Sequence, residues 1–196
     1  TRAGFDKLYE NGSFLNIKNS FSFFERSIKI PDYNFSGDQF ASFNEASYTF
    51  GDSEMEWITG LNLWVDKFTQ AEGNNTQPVD YNHLTYGAFI QNNWKMSDNF
   101  SLESGLRADY QNEYGMFILP RFSGLITITE NLTARLGGGL GYKTPTIFTE
   151  DAERIQFQNV LPIDVAETVA ERSIGGNFDI NYRRQVTEEV DFSINS

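Results

Sequence analysis

Residues 84–145 read LTYGAFIQNNWKMSDNFSLESGLRADYQNEYGMFILPRFSGLITITENLTARLGGGLGYKTP, and the alternation within them decides the fold. Leu84, Tyr86, Ala88, Ile90, Trp94 and Met96 share one parity, while Thr85, Gln91, Asn93 and Lys95 take the other. In the next run Phe100, Leu102, Leu106, Ala108 and Tyr110 oppose Ser101, Glu103, Arg107 and Asp109. A period of two means strands, because successive side chains of a strand point to opposite faces. A helix would scatter the same apolar residues around its axis. Ser97, Asp98 and Asn99 separate the two runs, a polar link short enough for a tight hairpin.

Aromatic residues mark the ends of this hairpin on its apolar parity. Trp94 and Phe100 stand just inside the turn, and Tyr86 and Tyr110 stand near the far ends. At about 3.3 Å per residue and a tilt of about 45°, Tyr86 and Trp94 lie roughly 19 Å apart along a membrane normal. That approaches the spacing of two aromatic girdles around an apolar band about 25 Å tall.

These residues carry a resemblance. Tyr86, Phe89, Gln91, Trp94, Leu102, Gly105, Leu106, Arg107 and Asp109 follow a pattern that recurs over one barrel hairpin of TonB-dependent outer-membrane receptors. The segment PRFSGL, then GYKTPTIFTE, is similar to the family's next two strands and the loop after them. The resemblance extends more loosely over most of residues 39–196. It implies a parent barrel of 22 strands with an N-terminal plug inside it. It also implies a bacterial outer-membrane location, a TonB complex as energy source and an extracellular small-molecule cargo such as a ferric siderophore complex. No part of the chain reads as a plug or a TonB-contacting box, so residues 1–196 are expected to be one segment of the barrel, with TonB contacted through parts of the parent protein outside it.

Composition bounds the alternatives. The 196 residues suffice for one domain, and mean hydropathy is −0.45. No apolar run reaches the eighteen or so residues of a membrane helix, but a barrel escapes that test because only alternate residues meet lipid. The 18 Phe, 9 Tyr and 3 Trp are many for a soluble domain. Cysteine is absent, which excludes disulfides and thiolate metal sites. A net charge of −12 argues against a nucleic-acid partner, which needs a basic footprint.

Taken in order, residues 1–12 read as irregular. Residues 13–30 read as a Phe-rich strand whose parity slips near Asn19 and Ser20, as at a bulge. Further strands are expected over 39–50, 54–70, 118–129, 132–142, 171–184 and from 189 onward. On one parity these carry Phe40, Ala46, Tyr48 and Phe50; Met55, Trp57, Leu61, Leu63 and Val65; Phe122, Ile126 and Ile128; Leu132, Ala134, Leu136, Leu140 and Tyr142; and Ile174, Phe178, Ile180 and Tyr182. Links near 51, 97, 130 and 185 are short, and those near 31, 71, 111 and 143 are longer. The expected fold is therefore all-β, an antiparallel up-and-down meander of about nine strands forming a transmembrane β-barrel segment.

Local motifs offer no catalytic residue, cofactor site or metal site, and the chain does not read as an enzyme. GGGLGYKT, residues 137–144, lacks the Gly-Lys-Thr of a phosphate loop because Tyr142 intervenes, and strands surround it. Haem receptors share a FRAP and NPNL loop with a nearby His. Tyr142, Lys143, Thr144 and Pro145 stand at the comparable place, but NPNL and a following His are missing. The single histidine, His83, sits at a loop–strand junction. Glu150, Asp151 and Glu153 cluster in the longest loop without the spacing of an EF-hand. Cargo contacts are expected in loops 71–83, 111–117 and 143–170. Gln91, Asn93, Glu103, Arg107, Asp109 and Arg135 are expected to face the lumen. Ile90, Trp94, Leu102, Leu106, Ile126 and Leu136 are expected to face membrane lipid. A small complete outer-membrane barrel, adhesin or pore, and a soluble β-sandwich binding module are the alternatives; the sandwich would bury the same apolar parity under a second sheet.

Overall fold

A computed structural model describes residues 1–196 other than 32, 72–77, 156, 159, 188, 189 and 196. Ten antiparallel strands form one sheet in strictly sequential order. They are β1 (Arg2–Leu8), β2 (Phe14–Ile30), β3 (Tyr33–Gly51), β4 (Met55–Gln70) and β5 (Tyr81–Ser97), then β6 (Phe100–Gln111), β7 (Gly115–Thr129), β8 (Leu132–Lys143), β9 (Glu171–Thr187) and β10 (Val190–Asn195). A five-residue helix, α1 (Glu150–Arg154), interrupts the connection from β8 to β9.

Register brings the mainly apolar parities of neighbouring strands onto one face. Leu61 pairs with Ala46 and Ala88, Ala46 with Ile17, and Ala88 with Ala108, which pairs in turn with Ile118. Three rows nearer the tight turns, Met55 meets Trp94, Trp94 meets Leu102, and Leu136 meets Phe178. Directly paired residues share a face, so these rows form one continuous apolar surface. Among the described residues no second sheet covers it: Leu61 is 66% exposed, Leu136 65% and Ile174 85%. The expected lipid-facing set, Ile90, Trp94, Leu102, Leu106, Ile126 and Leu136, lies on this surface. On the other face polar side chains tie neighbouring strands together. Asn93 Nδ2 donates to Glu56 Oε1 at 3.0 Å, and Gln39 Nε2 donates to Asp66 Oδ1 at 2.9 Å.

Four expectations are corrected. Residues 2–8 form an edge strand, which charged Arg2, Asp6 and Lys7 disguise in the sequence. Strand β2 has no bulge at Asn19 and Ser20, since its register on β3 is unbroken from Phe14 to Ile30. The parity slip there comes from Asn19, a polar residue on the apolar parity whose side chain hydrogen-bonds that of Asn44. The links near 31 and 111 are not longer loops. Strands β3 and β7 begin at Tyr33 and Gly115, because the ladders continue through polar residues such as Asn34 and Gln111. Finally, Tyr142 leaves the apolar face. The β7–β8 ladder stops at Arg121 and Gly139, beside Pro120, which has no N–H to extend it. Beyond that point β8 is paired to β9 alone, and Tyr142 turns inward, its hydroxyl donating to Asp109.

The buried core belongs to one end of the polar face. The tight turns, 52–54, 98–99 and 130–131, lie at one end of the strands, and connections 71–80, 112–114 and 144–170 lie at the other. The last of these folds back over the polar face as a strap. Its Ile147, Ala152 and Phe157 join Phe35, Phe68 and Val79 in one apolar cluster.

Candidate functional site

Three expected contact loops meet at the loop end. A cleft of about 310 Å³ is lined by Val79 and Asp80 from the first, with Tyr81 and His83 at the start of β5, by Glu113 and Tyr114 from the second, and by Ile147 and Ile163 from the strap. The first loop is tied at its base by Gln70. Its side-chain oxygen accepts from the Val79 N–H at 3.0 Å, and its own N–H donates to Asp80 Oδ1 at 2.7 Å. Gln111, fully buried, closes the second by accepting from the Glu113 and Tyr114 N–H groups at 2.7 and 2.6 Å. The Tyr114 and Thr168 hydroxyls approach to 3.4 Å and fasten the strap over that turn.

His83 is not a surface histidine. It is buried, with its ring 4.9 Å from that of Tyr81 and 6.2 Å from that of Tyr114. On its other side a second cleft of about 360 Å³ runs down the polar face, lined by Trp64, Asp66, Arg107, Leu119, Tyr142 and Lys143 among others. Asp66 accepts from Gln39 and, at 3.3 Å, from the Tyr81 hydroxyl. Asp109, 1% exposed, accepts from Arg107 Nε at 2.7 Å and from the Tyr142 hydroxyl at 3.1 Å. The Tyr142 ring lies flat on Phe117 with centroids 3.8 Å apart. A buried carboxylate needs such partners, because an unpaired charge out of water is costly. Gly87 makes room for this network, since a Cβ there would fall 2.5 Å from oxygens of both Asn62 and Asp109.

The expected inward set, Gln91, Asn93, Glu103, Arg107, Asp109 and Arg135, shares the polar face, but only Arg107 and Asp109 line the clefts beneath the strap. Glu103, Asn93 and Arg135 line a separate cleft of about 410 Å³ near the tight turns. Within the acidic cluster Glu153 pairs with Arg26 at 3.2 Å, and the side chain of Asp151 lies outside the described residues. Sequence reading passed over Trp64, half exposed in the second cleft, although its parity with Asn62 and Asp66 marks that face. It also passed over Arg26 and Phe157, whose pairing across more than a hundred residues leaves no local signal. Chemically, the two clefts combine carboxylates (Asp66, Asp80, Glu113), cations (Arg107, Lys143) and aromatic faces (Trp64, Tyr81, Tyr114), a set suited to holding a polar, partly aromatic molecule.

The strap is fixed at Phe157. Its ring is fully buried and stacks on Phe35 with centroids 4.7 Å apart, and its carbonyl accepts from the Tyr33 hydroxyl at 2.6 Å. Its backbone φ is 60°, left-handed, which costs a bulky residue about 1–2 kcal/mol.

Comparison with known proteins bears on this architecture. The family described as TonB dependent receptor-like, beta-barrel matches residues 2–180. No curated protein matches the sequence. Among solved structures, a mutant ferric enterobactin receptor (PfeA) of Pseudomonas aeruginosa superposes with a TM-score of 0.69 at 13% identity, over 90% of this chain and 31% of that one. The siderophore receptor PirA of Acinetobacter baumannii gives 0.65 at 15% identity, over 99% and 34%. The FpvAI–pyocin S2 complex gives 0.65 at 10% identity, over 99% and 31%. At such identities the likeness concerns the fold, which is that of a barrel wall. The chain spans about a third of the length of these structures.

Proposed function

The chain belongs to the TonB-dependent receptor-like β-barrel family, and from that premise we propose that it is the wall and part of the cargo mouth of an outer-membrane importer for a scarce iron complex of the ferric siderophore class. The observation that carries the reading is the convergence of three loops on one cleft, at one end of a sheet whose opposite face is apolar and uncovered. In this reading the apolar face meets lipid, the tight turns face the periplasm, and the strap end faces the outside. The remaining strands, the plug and the TonB contact lie in the rest of the parent protein. A soluble sandwich is disfavoured, because the face it would have to bury lies open along its whole length.

Carboxylates and cations in the clefts would hydrogen-bond the hydrophilic periphery of the cargo, and Trp64 and Tyr81 would stack on its flat groups. The test is uptake of radioactive iron, supplied as ferric enterobactin and as a hydroxamate complex, by iron-starved cells with and without the parent protein. Deletion should abolish energised uptake of at least one class, and complementation should restore it. Unchanged uptake of every iron complex offered would sink the proposal.

A further inference from the structure

The strap is rooted at β8 and β9 but seated on β2, β3 and β4. Five interstrand steps separate β8 from β3, a span of about 24 Å at roughly 4.8 Å per step. Over that span Phe157 is the strap's fully buried ring. The Phe157 ring fills the space against Phe35 and meets Phe148 edge-on at 5.7 Å. The Arg26 guanidinium lies 5.2 Å from the ring centres of both Phe148 and Phe157 while pairing with Glu153. Polar bonds hold the backbone on both sides of the ring. The Phe157 N–H donates to the Ala152 carbonyl at 2.8 Å, and its own carbonyl accepts from Tyr33.

We propose that Phe157 is a strained latch that holds the strap over the cleft beside His83, and that its release uncovers the cleft. Two opposed tendencies meet at this residue. The backbone at φ 60° favours leaving the left-handed region, and the buried ring with its Tyr33 bond prevents it. An element poised in this way has two discrete positions rather than a continuum, because a ring of this size is either seated or out. The coupling to the cleft is direct. Ile147 belongs to the same apolar cluster as Phe157 and also lines the cleft, and Val79, sealed in that cluster, forms the cleft's opposite wall. Lifting the strap therefore wets Val79 and opens the space in front of His83. Assigning this motion to cargo entry rests on the function proposed above; the latch itself does not.

The test reads amide hydrogen exchange in the full-length protein that carries this chain, in micelles and without cargo. Phe157→Ala should speed exchange at the Glu153, Phe157, Gln158 and Val79 amides by about a hundredfold or more. Phe157→Gly also loses the ring but accepts the left-handed backbone, so its strap should open less than that of Phe157→Ala. Tyr33→Phe, which removes one hydroxyl, should raise exchange at the same amides about fivefold. The amide of Asp52 at the turn end, bonded to the Met55 carbonyl at 3.0 Å, should keep its rate in all three and so report intact folding. Unchanged strap exchange in both Phe157→Ala and Tyr33→Phe would overturn the latch, as would faster exchange at the strap with Val79 still protected. Failure of cells to import any iron complex would sink the proposed function and leave this result standing.

Discussion

The two ends of the polar face are built from the same strands and have opposite interiors. At the turn end Glu56, Asn93, Glu103 and Arg135 border an open cleft, and their hydrogen bonds and ion pairs are exchangeable with water. At the loop end the strap supplies Ile147, Ala152 and Phe157, and a dry cluster forms around them. A single sheet can hydrogen-bond its backbone but cannot bury a face by itself. Burial arises only where a connection is long enough to return. The difference teaches that the ladder and the rest of a barrel hold the turn end, whereas the loop end carries a small domain-like core of its own.

The sharpest break in that comparison is Phe68→Ala. It should cost about 3–5 kcal/mol of strap docking, against less than about 0.5 kcal/mol for Glu56→Gln in the open cleft. Thermal unfolding in micelles, with exchange at the Val79 amide, measures both. Crossing from the polar face to the apolar one gives the next effect. Leu106→Arg should cost about 2–4 kcal/mol if that face meets mid-bilayer lipid, and Gln91→Arg, on the polar face one strand away, should be nearly neutral. Folding titrations into lipid bilayers decide this, and equal costs for the two variants would undo the assignment of faces. Within the loop-end core, Gly37→Ala should destabilise the strap by about 1–3 kcal/mol. Its Cβ would fall 2.5 Å from the Phe68 ring and 2.7 Å from the Thr69 carbonyl.

The smallest effect belongs to the turn end. The N–H groups of Met55 and Glu54 donate to the Asp52 carboxylate and hold its pKa below the ordinary value of 3.8. A group whose pKa is lowered on folding stabilises above its unfolded pKa, and that contribution is lost as pH falls through the folded value. Exchange at the Glu54 and Met55 amides, corrected for the intrinsic rate, should therefore stay constant down to about pH 4 and rise below it. Asp52→Ala should remove the transition.

The strands and their faces were legible in the sequence because period two is a local property. Ile90, Leu102, Leu106 and Ile126 could be placed without knowing their neighbours, and each lies on the apolar surface. Parity failed at single residues that depart from the alternation of their strands. Phe24 is apolar on the polar face near Arg26, and Tyr142 turns inward where the ladder to β7 has ended. The three contact loops could be located but not their meeting. Nothing in residues 144–170 shows that Phe157 seats on Phe35, since that pairing depends on how far the strap reaches across the sheet. Arg26 and Trp64 were invisible for related reasons: one pairs with a carboxylate 127 residues away, and the other was one aromatic among many.

The strictly sequential strand order has a consequence for how the chain is assembled. Every ladder joins neighbours in the sequence, so each hairpin can zip onto the last without waiting for distant residues, and pairing of this kind is kinetically undemanding. The strap obeys a different clock. Tyr33 and Phe157 are 124 residues apart, and their contact needs β4 to β8 already in place to set the distance. Docking of the strap thus follows the pairing of β4 to β8. A chain stalled at any earlier strand would present Phe35 and Phe68 uncovered.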